Sequence, residues 1–267
     1  MRVICVALLA AAAGWSAQAE TSQQKGKRIV DDALAALGGP AFLAMQTRVE
    51  SGRIYGFYRE AITGLGVTTL YTKYLPHPDK PDPDFLGVRV RDARGKKQDD
   101  VLLYGAGDCY EVTFRGARPL PDNTVKQFRL ATRHNIFYIL RERLAEPGLI
   151  FEWRESDFFD NRPVEIVDIT DATNHTESVY FDQLTKLPVR QVYSRRDPID
   201  NARQEEVSIF DKFRDVGGGV MWPFSIRRER NGEKVFEMYS ESVEINKDLP
   251  DSMFVLPPHL KMLKKQN

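Results

Sequence analysis

Cysteine is almost absent: the 267 residues contain two, Cys5 and Cys109. Only Cys109 lies in the body of the chain, and one cysteine cannot form an internal disulfide, so the core has to hold the fold. An excess of one charge is missing too, with 38 basic against 38 acidic residues. Nothing is left over to neutralise phosphates, which argues against nucleic acid as a partner. Beyond the N-terminus no apolar run reaches the roughly 20 residues a membrane helix needs, so no integral membrane span is expected. Motifs of catalysis are also lacking. There is no P-loop, no dinucleotide glycine fingerprint and no nucleophile elbow. His77, His134, His175 and His259 stand apart, without the His-x-x-x-His or Cys/His spacing of a metal site. The adjacent acids Asp99-Asp100 and Glu205-Glu206 point to opposite faces if they lie on strands. Gly217-Gly218-Gly219 reads as a turn between strands, and Cys109 as a small half-buried hydrophobe. The expectation is a protein that is not an enzyme, with no catalytic residue, metal or cofactor.

What is present begins with an export signal. In MRVICVALLAAAAGWSAQA, Arg2 supplies a positive start, Val3 to Ala13 an apolar stretch and Ala17-Gln18-Ala19 a small-x-small cleavage site. The apolar stretch is too short to span a bilayer, and the polar segment Glu20 to Arg28 follows at once. Cys5 sits inside the apolar stretch instead of at the cleavage point, which argues against lipid attachment. Residues 1–19 are therefore expected to be a cleavable signal peptide, and residues 20–267 a single domain in the periplasm.

The rest alternates two periodicities. Ser22 to Leu37 carries Ile29, Val30, Ala33, Leu34 and Leu37 at helical spacing, and Gly38-Gly39-Pro40 stops it. Thr47 onward turns to strands, RVESGRIYGFYRE and GVTTLYTKYL, with a hairpin connection expected at Ile62-Thr63-Gly64. Residues 76–83, rich in proline, read as a stiff extended loop. FLGVRVRD, DDVLLYG and CYEVTF are strands separated by turns at 94–97 and 105–108. Asp122 to Glu146 reads as one long helix, capped by Asp122 or Asn123 and ended by Pro147-Gly148, with an apolar stripe wider than one packing seam needs. Seven strand-like runs follow to the C-terminus, and Asn231-Gly232 between two of them is the strongest hairpin signal in the chain. Strands at this spacing imply an antiparallel meander that curves into a barrel.

Such a sheet encloses more volume than one long and one short helix fill. The surplus can be a cavity for acyl chains or other apolar ligands. Its candidate lining is Tyr55, Phe57, Tyr71, Tyr104, Phe128, Ile136, Ile139, Leu140, Phe151, Trp153, Phe181, Trp222, Phe236 and Met238. Alternation alone does not separate core from pocket among these, because both are apolar.

Several segments carry a resemblance. The helix ends in Ala36-Leu37-Gly38-Gly39; a strand-turn-strand reads Val179-Tyr180-Phe181-Asp182-Gln183-Leu184-Thr185-Lys186-Leu187-Pro188-Val189-Arg190; Asp215 to Ile226 reads DVGGGVMWPFSI; and the close holds Leu249-Pro250-Asp251-Ser252-Met253-Phe254 with Pro257-Pro258. Together they resemble the LolA/LolB-like superfamily of periplasmic lipoprotein carriers and outer-membrane lipoprotein-sorting proteins. The resemblance implies an α+β fold: an incomplete, open antiparallel β-barrel of about ten or more strands, with helices covering the concave face. It also implies a pocket that holds lipid or lipoprotein acyl chains. An envelope structural or sensor module that binds another protein is the alternative. An envelope hydrolase is a third, and it would need carboxylates or a nucleophile with a histidine to converge in the pocket.

Overall fold

The computed structural model describes residues 19–76, 86–105, 109–197 and 201–265. The expected signal peptide up to Gln18, residues 77–85 of the Pro-rich segment and 106–108 of the expected turn lie outside them. Thr21 opens α1 (Ser22–Ala36) with a reciprocal cap: its hydroxyl accepts from the Gln24 amide, and the Gln24 side chain accepts from the Thr21 amide. Gly38 and Gly39, both at positive φ, end the helix, and a short α2 (Pro40–Leu43) follows. Gly38 has a second reason to be glycine. A Cβ there would stand 2.9 Å from the Gly219 carbonyl oxygen, and the Met221 amide donates to the Leu37 carbonyl. The Ala36–Gly39 and 215–226 segments, distant in sequence, thus meet in space.

Thirteen antiparallel strands form one sheet. The first meander is β1 (Thr47–Tyr58), β2 (Ala61–Tyr74), β3 (Val88–Arg94), β4 (Asp100–Tyr104), β5 (Cys109–Thr113) and β6 (Gly116–Pro119). The second is β7 (Ile150–Phe159), β8 (Arg162–Thr170), β9 (Thr176–Asp182), β10 (Pro188–Arg196), β11 (Arg203–Asp215), β12 (Met221–Arg230) and β13 (Glu233–Ile245). Each strand pairs with its neighbours in sequence, and β1 joins β13 to unite the two meanders. β6 and β7 stay at opposite edges, so the sheet is curved but not closed. This is the expected open α+β barrel. The C-terminal segment crosses the outside of the first meander: Lys73 donates to the Leu249 carbonyl, Arg91 to the Met253 carbonyl, and residues 261–263 bond to Ala117 beside β6.

Two expectations need correction. The β1–β2 turn is not at Ile62–Gly64, which lie within β2, but at Arg59-Glu60, with φ 48° and 63°. Residues with a Cβ rarely adopt that pair, so the turn gives no sequence signal. The mid-chain helix is not continuous. α3 (Asp122–Arg133) starts after Pro121 with no side-chain cap and stops at His134. A separate turn, α4 (Ile136–Tyr138), begins with the Asn135 side chain accepting from the Phe137 and Tyr138 amides, and continues into a π-helical turn, Ile139–Arg143. Gln191 on β10 sits in the break: its carbonyl oxygen accepts from the Ile136 amide and its amide donates to the His134 carbonyl.

The main core lies between the sheet and the helices. Val30 and Ala33 of α1, Phe42, and Ile136, Ile139 and Leu140 of the interrupted segment pack on Val167, Ile169, Phe181 and Phe210. α1 also lies against the edge strand β7. A Cβ on Gly26 would stand 2.7 Å from the Phe151 carbonyl oxygen and 2.8 Å from the Trp153 amide nitrogen. Under this core runs a buried charge cluster. Arg143 bonds Glu146 at 2.6 Å, Asp171 at 3.2 Å and the Arg133 carbonyl at 2.8 Å, and it stands 3.9 Å from Glu177. His134 Nδ1 meets Glu177 at 2.9 Å and its ring stacks on Tyr193. Burial pushes the Asp171 carboxyl up, but bonds from the Thr173 hydroxyl, the His175 and Thr173 amides and Arg143 outweigh it, leaving a pKa of about 2.

Two outcomes test this packing. Gly26→Ala ought to gain about 1 kcal/mol from helix propensity. Because the backbone of β7 has no room for the methyl, the measured Tm is expected to fall instead; a rise would refute the close approach. Asp171 has its folded pKa below its ordinary 3.8, so its stabilisation is complete above that pH and fades as pH falls towards about 2. The Tm gap between the wild type and Asp171→Asn should accordingly narrow across that window, and a gap constant down to pH 2 would refute it.

Candidate ligand-binding cavity

The connection from β6 to β7 has to pass between the two outermost strands of the sheet, and α3 lies on that path. None of its residues is buried, including the apolar Val125, Phe128 and Leu130. Between α3 and the concave face is a cavity of about 680 Å³, within the usual range for small-molecule sites. Thr124, Gln127, Phe128 and Ala131 form its roof, and strands β1–β4 and β10–β13 its walls. Phe128 stacks flat on Tyr104, with centroids 3.8 Å apart.

The candidates divide into three groups. Tyr104, Phe128, Trp222, Phe236 and Met238 all line the cavity. Ile136, Ile139, Leu140, Phe151 and Phe181 belong to the close-packed core beside it. The others are on different surfaces. Tyr55 faces outward, edge to face with Tyr239 at 5.9 Å, and Phe57 lies under the Lys234 ammonium at 4.0 Å. Tyr71 packs on the outer-face cluster of Ala93, Val101 and Leu103, and Trp153 lies beneath Lys25 with its N–H on Glu165.

Aromatic composition pointed to none of the polar groups in the wall. Arg48 stacks on Trp222 at 3.9 Å and stands 3.5 Å from Glu50, which is almost fully buried and accepts from Ser240. Glu206 takes two arginines on one carboxylate oxygen, Arg195 at 2.7 Å and Arg230 at 2.9 Å. Arg228 lines the same wall and has no ion pair among the described residues. The signal that would have found these arginines is strand parity: Trp222, Phe224, Ile226, Arg228 and Arg230 share one face of β12.

The wall offers little to catalysis. Tyr104, Tyr138 and Tyr193 all have their pKa raised, first by burial and then by nearby carboxylates, Tyr138 to about 12. They remain neutral phenols. The lining carboxylates Glu50 and Glu206 are each engaged by arginine. The rings of His134 and His175 do approach, at 5.7 Å, but among the described residues no cluster of histidine, cysteine or carboxylate could hold a metal.

No family model and no curated protein matches the sequence. Solved structures do match. An outer-membrane lipoprotein-sorting protein domain from Vibrio parahaemolyticus aligns with a TM-score of 0.55 at 11% identity, over 87% of this chain and 97% of its own. The chain shares the fold of that domain. A DUF1329 family protein from Desulfovibrio piger shares it, with a TM-score of 0.56 at 11% identity, over 86% of this chain and 97% of its own. A LolA superfamily protein from Nitrosomonas europaea aligns at 13% identity with a TM-score of 0.45. At such identities the likeness extends to the fold. Within this fold, the interrupted helix divides the concave face into a filled half and an open half.

Core and cavity residues differ in what their removal costs. Phe181→Ala, in the packed core, should cost about 3–5 kcal/mol in urea unfolding. Phe128→Ala, in the cavity roof, should cost about 1 kcal/mol, since the ring is only partly removed from water. Equal losses would show that the roof is packed as core.

Proposed function

We propose that this chain is a periplasmic binding or carrier protein for lipids or lipidated proteins, exported by the signal at residues 1–19. It acts without catalysis and holds acyl chains in the cavity under α3. One observation carries this reading. α3 presents Phe128 and Leu130 to the cavity yet buries neither of them, so its apolar face covers an unfilled space. A helix of this pattern normally gains its stability by burying that stripe. An acyl chain in the cavity would bury it together with the half-buried Phe236. The described neighbour in lipoprotein sorting supports the reading at the level of fold. Among the described residues no helix is long and apolar enough to cross a membrane.

The exposed tip of the β1–β2 hairpin favours a second reading. Tyr58, Ile62 and Leu65 are each more than 60% exposed there. An apolar tip of this kind suits docking onto another envelope protein, as a sensor module would require.

Native mass spectrometry of the exported protein is the test. The expected result is co-purified lipid, or uptake of added lysophospholipid at one site. Met238→Trp, which fills the cavity, should reduce that uptake at least tenfold while the protein stays folded. A folded protein that takes up no lipid in either form would refute the proposal.

A further inference from the structure

The cavity is not uniform along its length. On β12 the inward positions run from Trp222, Phe224 and Ile226 to Arg228 and Arg230. The neighbouring strands change at the same level. Ile226 is flanked by Phe210 on β11 and Met238 on β13, whereas Arg228 is opposite Ser208 and Arg230 opposite Glu206. One end of the cavity is therefore mainly aromatic and aliphatic, with Arg48 set against Glu50 there, and the other is cationic.

The charges at that end do not balance. Arg195 and Arg230 share the single carboxylate of Glu206, and Arg228 has no carboxylate partner among the described residues. Three guanidiniums face one carboxylate. The nearest ring to Arg228 is Phe236, 5.4 Å away, which offers only its π-face. An arginine stays protonated at any physiological pH. Arg228 lines the cavity yet is exposed to solvent, and an entering oxyanion gains a forked, charge-assisted contact with it.

We propose that the ligand is an anionic amphiphile whose acid group binds Arg228, with Arg195 and Arg230 beside it, and whose alkyl chain runs along the wall towards Trp222. This deepens the lipid-binding reading and rests on it. The shared chemistry is a carboxylate or phosphate oxyanion on an alkyl chain, such as a fatty acid or an alkyl phosphate.

The experiment measures binding of three ligands with the same chain, dodecanoate, dodecyl phosphate and dodecanol, by calorimetry at low and at moderate salt. The wild type should bind at least one acid tenfold or more tighter than the alcohol, with that advantage shrinking as salt rises. The tighter of the two acids identifies the source as carboxylate or phosphate. In Arg228→Met the ratio of acid to alcohol affinity should fall to about one, and in Arg228→Lys it should remain between the two. Removal of an unpaired cation should also leave the Tm of Arg228→Met equal to or above that of the wild type. If acid and alcohol bind the wild type equally, the anion proposal is overturned while lipid binding stands. If none of the three binds, both are overturned. A ratio unchanged in a folded Arg228→Met places the acid elsewhere and overturns the proposal too.

Discussion

Gln191 occupies the point on which the architecture turns. Its carboxamide sits in the gap between α3 and α4, accepting from the Ile136 amide and donating to the His134 carbonyl. Those are backbone groups that an unbroken helix would satisfy internally, and left unpaired in the interior each would cost about 1–3 kcal/mol. The glutamine makes the break tolerable. Around it, Asn135 caps the new start, His134 is held to Glu177, and Arg143 ties the following turn to Glu146 and Asp171. Every one of these partners is fixed on the sheet or on the helical connection itself, so the direction of the chain after the break is set from several sides.

The open cavity follows from that change of direction. A connection from β6 to β7 has to pass between the two outermost strands of the sheet. Once broken, its second half drops into the core, where Ile136, Ile139 and Leu140 are fully buried, while its first half stays over the concave face with no residue buried. α1 fills the neighbouring part of the concavity, held close to β7 by the absence of a side chain at Gly26. The half of the sheet left beneath α3 therefore faces an open cavity. Mainly aromatic and aliphatic groups occupy one end of that space and arginines the other, so a ligand there meets a built polarity as well as an apolar surface.

Much of the fold was legible in the chain because strands and turns are local. The second meander reads off the alternation from 150 to 245, and Asp160-Asn161 and Asn231-Gly232 take the positive φ values their turns demand. Arg59-Glu60 takes a similar conformation with residues that advertise nothing, which is why the first hairpin was placed three residues late. The helix break left no mark either. His134 and Asn135 are unexceptional in a helical run, and the residue that opens them, Gln191, lies on a strand more than fifty positions away. The site was half legible. Aromatic alternation collected Tyr104, Trp222, Phe236 and Met238, but with them came core residues such as Phe181 and outward ones such as Tyr55 and Tyr71. Arg228 and Arg230 carry no apolar signal, and only their shared face with Trp222 and Ile226 on β12 connects them to the cavity.

By itself, then, the sequence determined most strands and hairpins and the first helix with its glycine stop, since each depends on residues within a few positions of one another. Only the tertiary structure decided which apolar side chains are packed and which face open space, because that depends on whether a helix from another part of the chain lies against them. It also decided that the arginines of β12 point inward and that one of them lacks an acidic partner. A charge becomes part of a binding site when the fold sets it along an apolar cavity, and no local pattern in the chain records where that cavity lies.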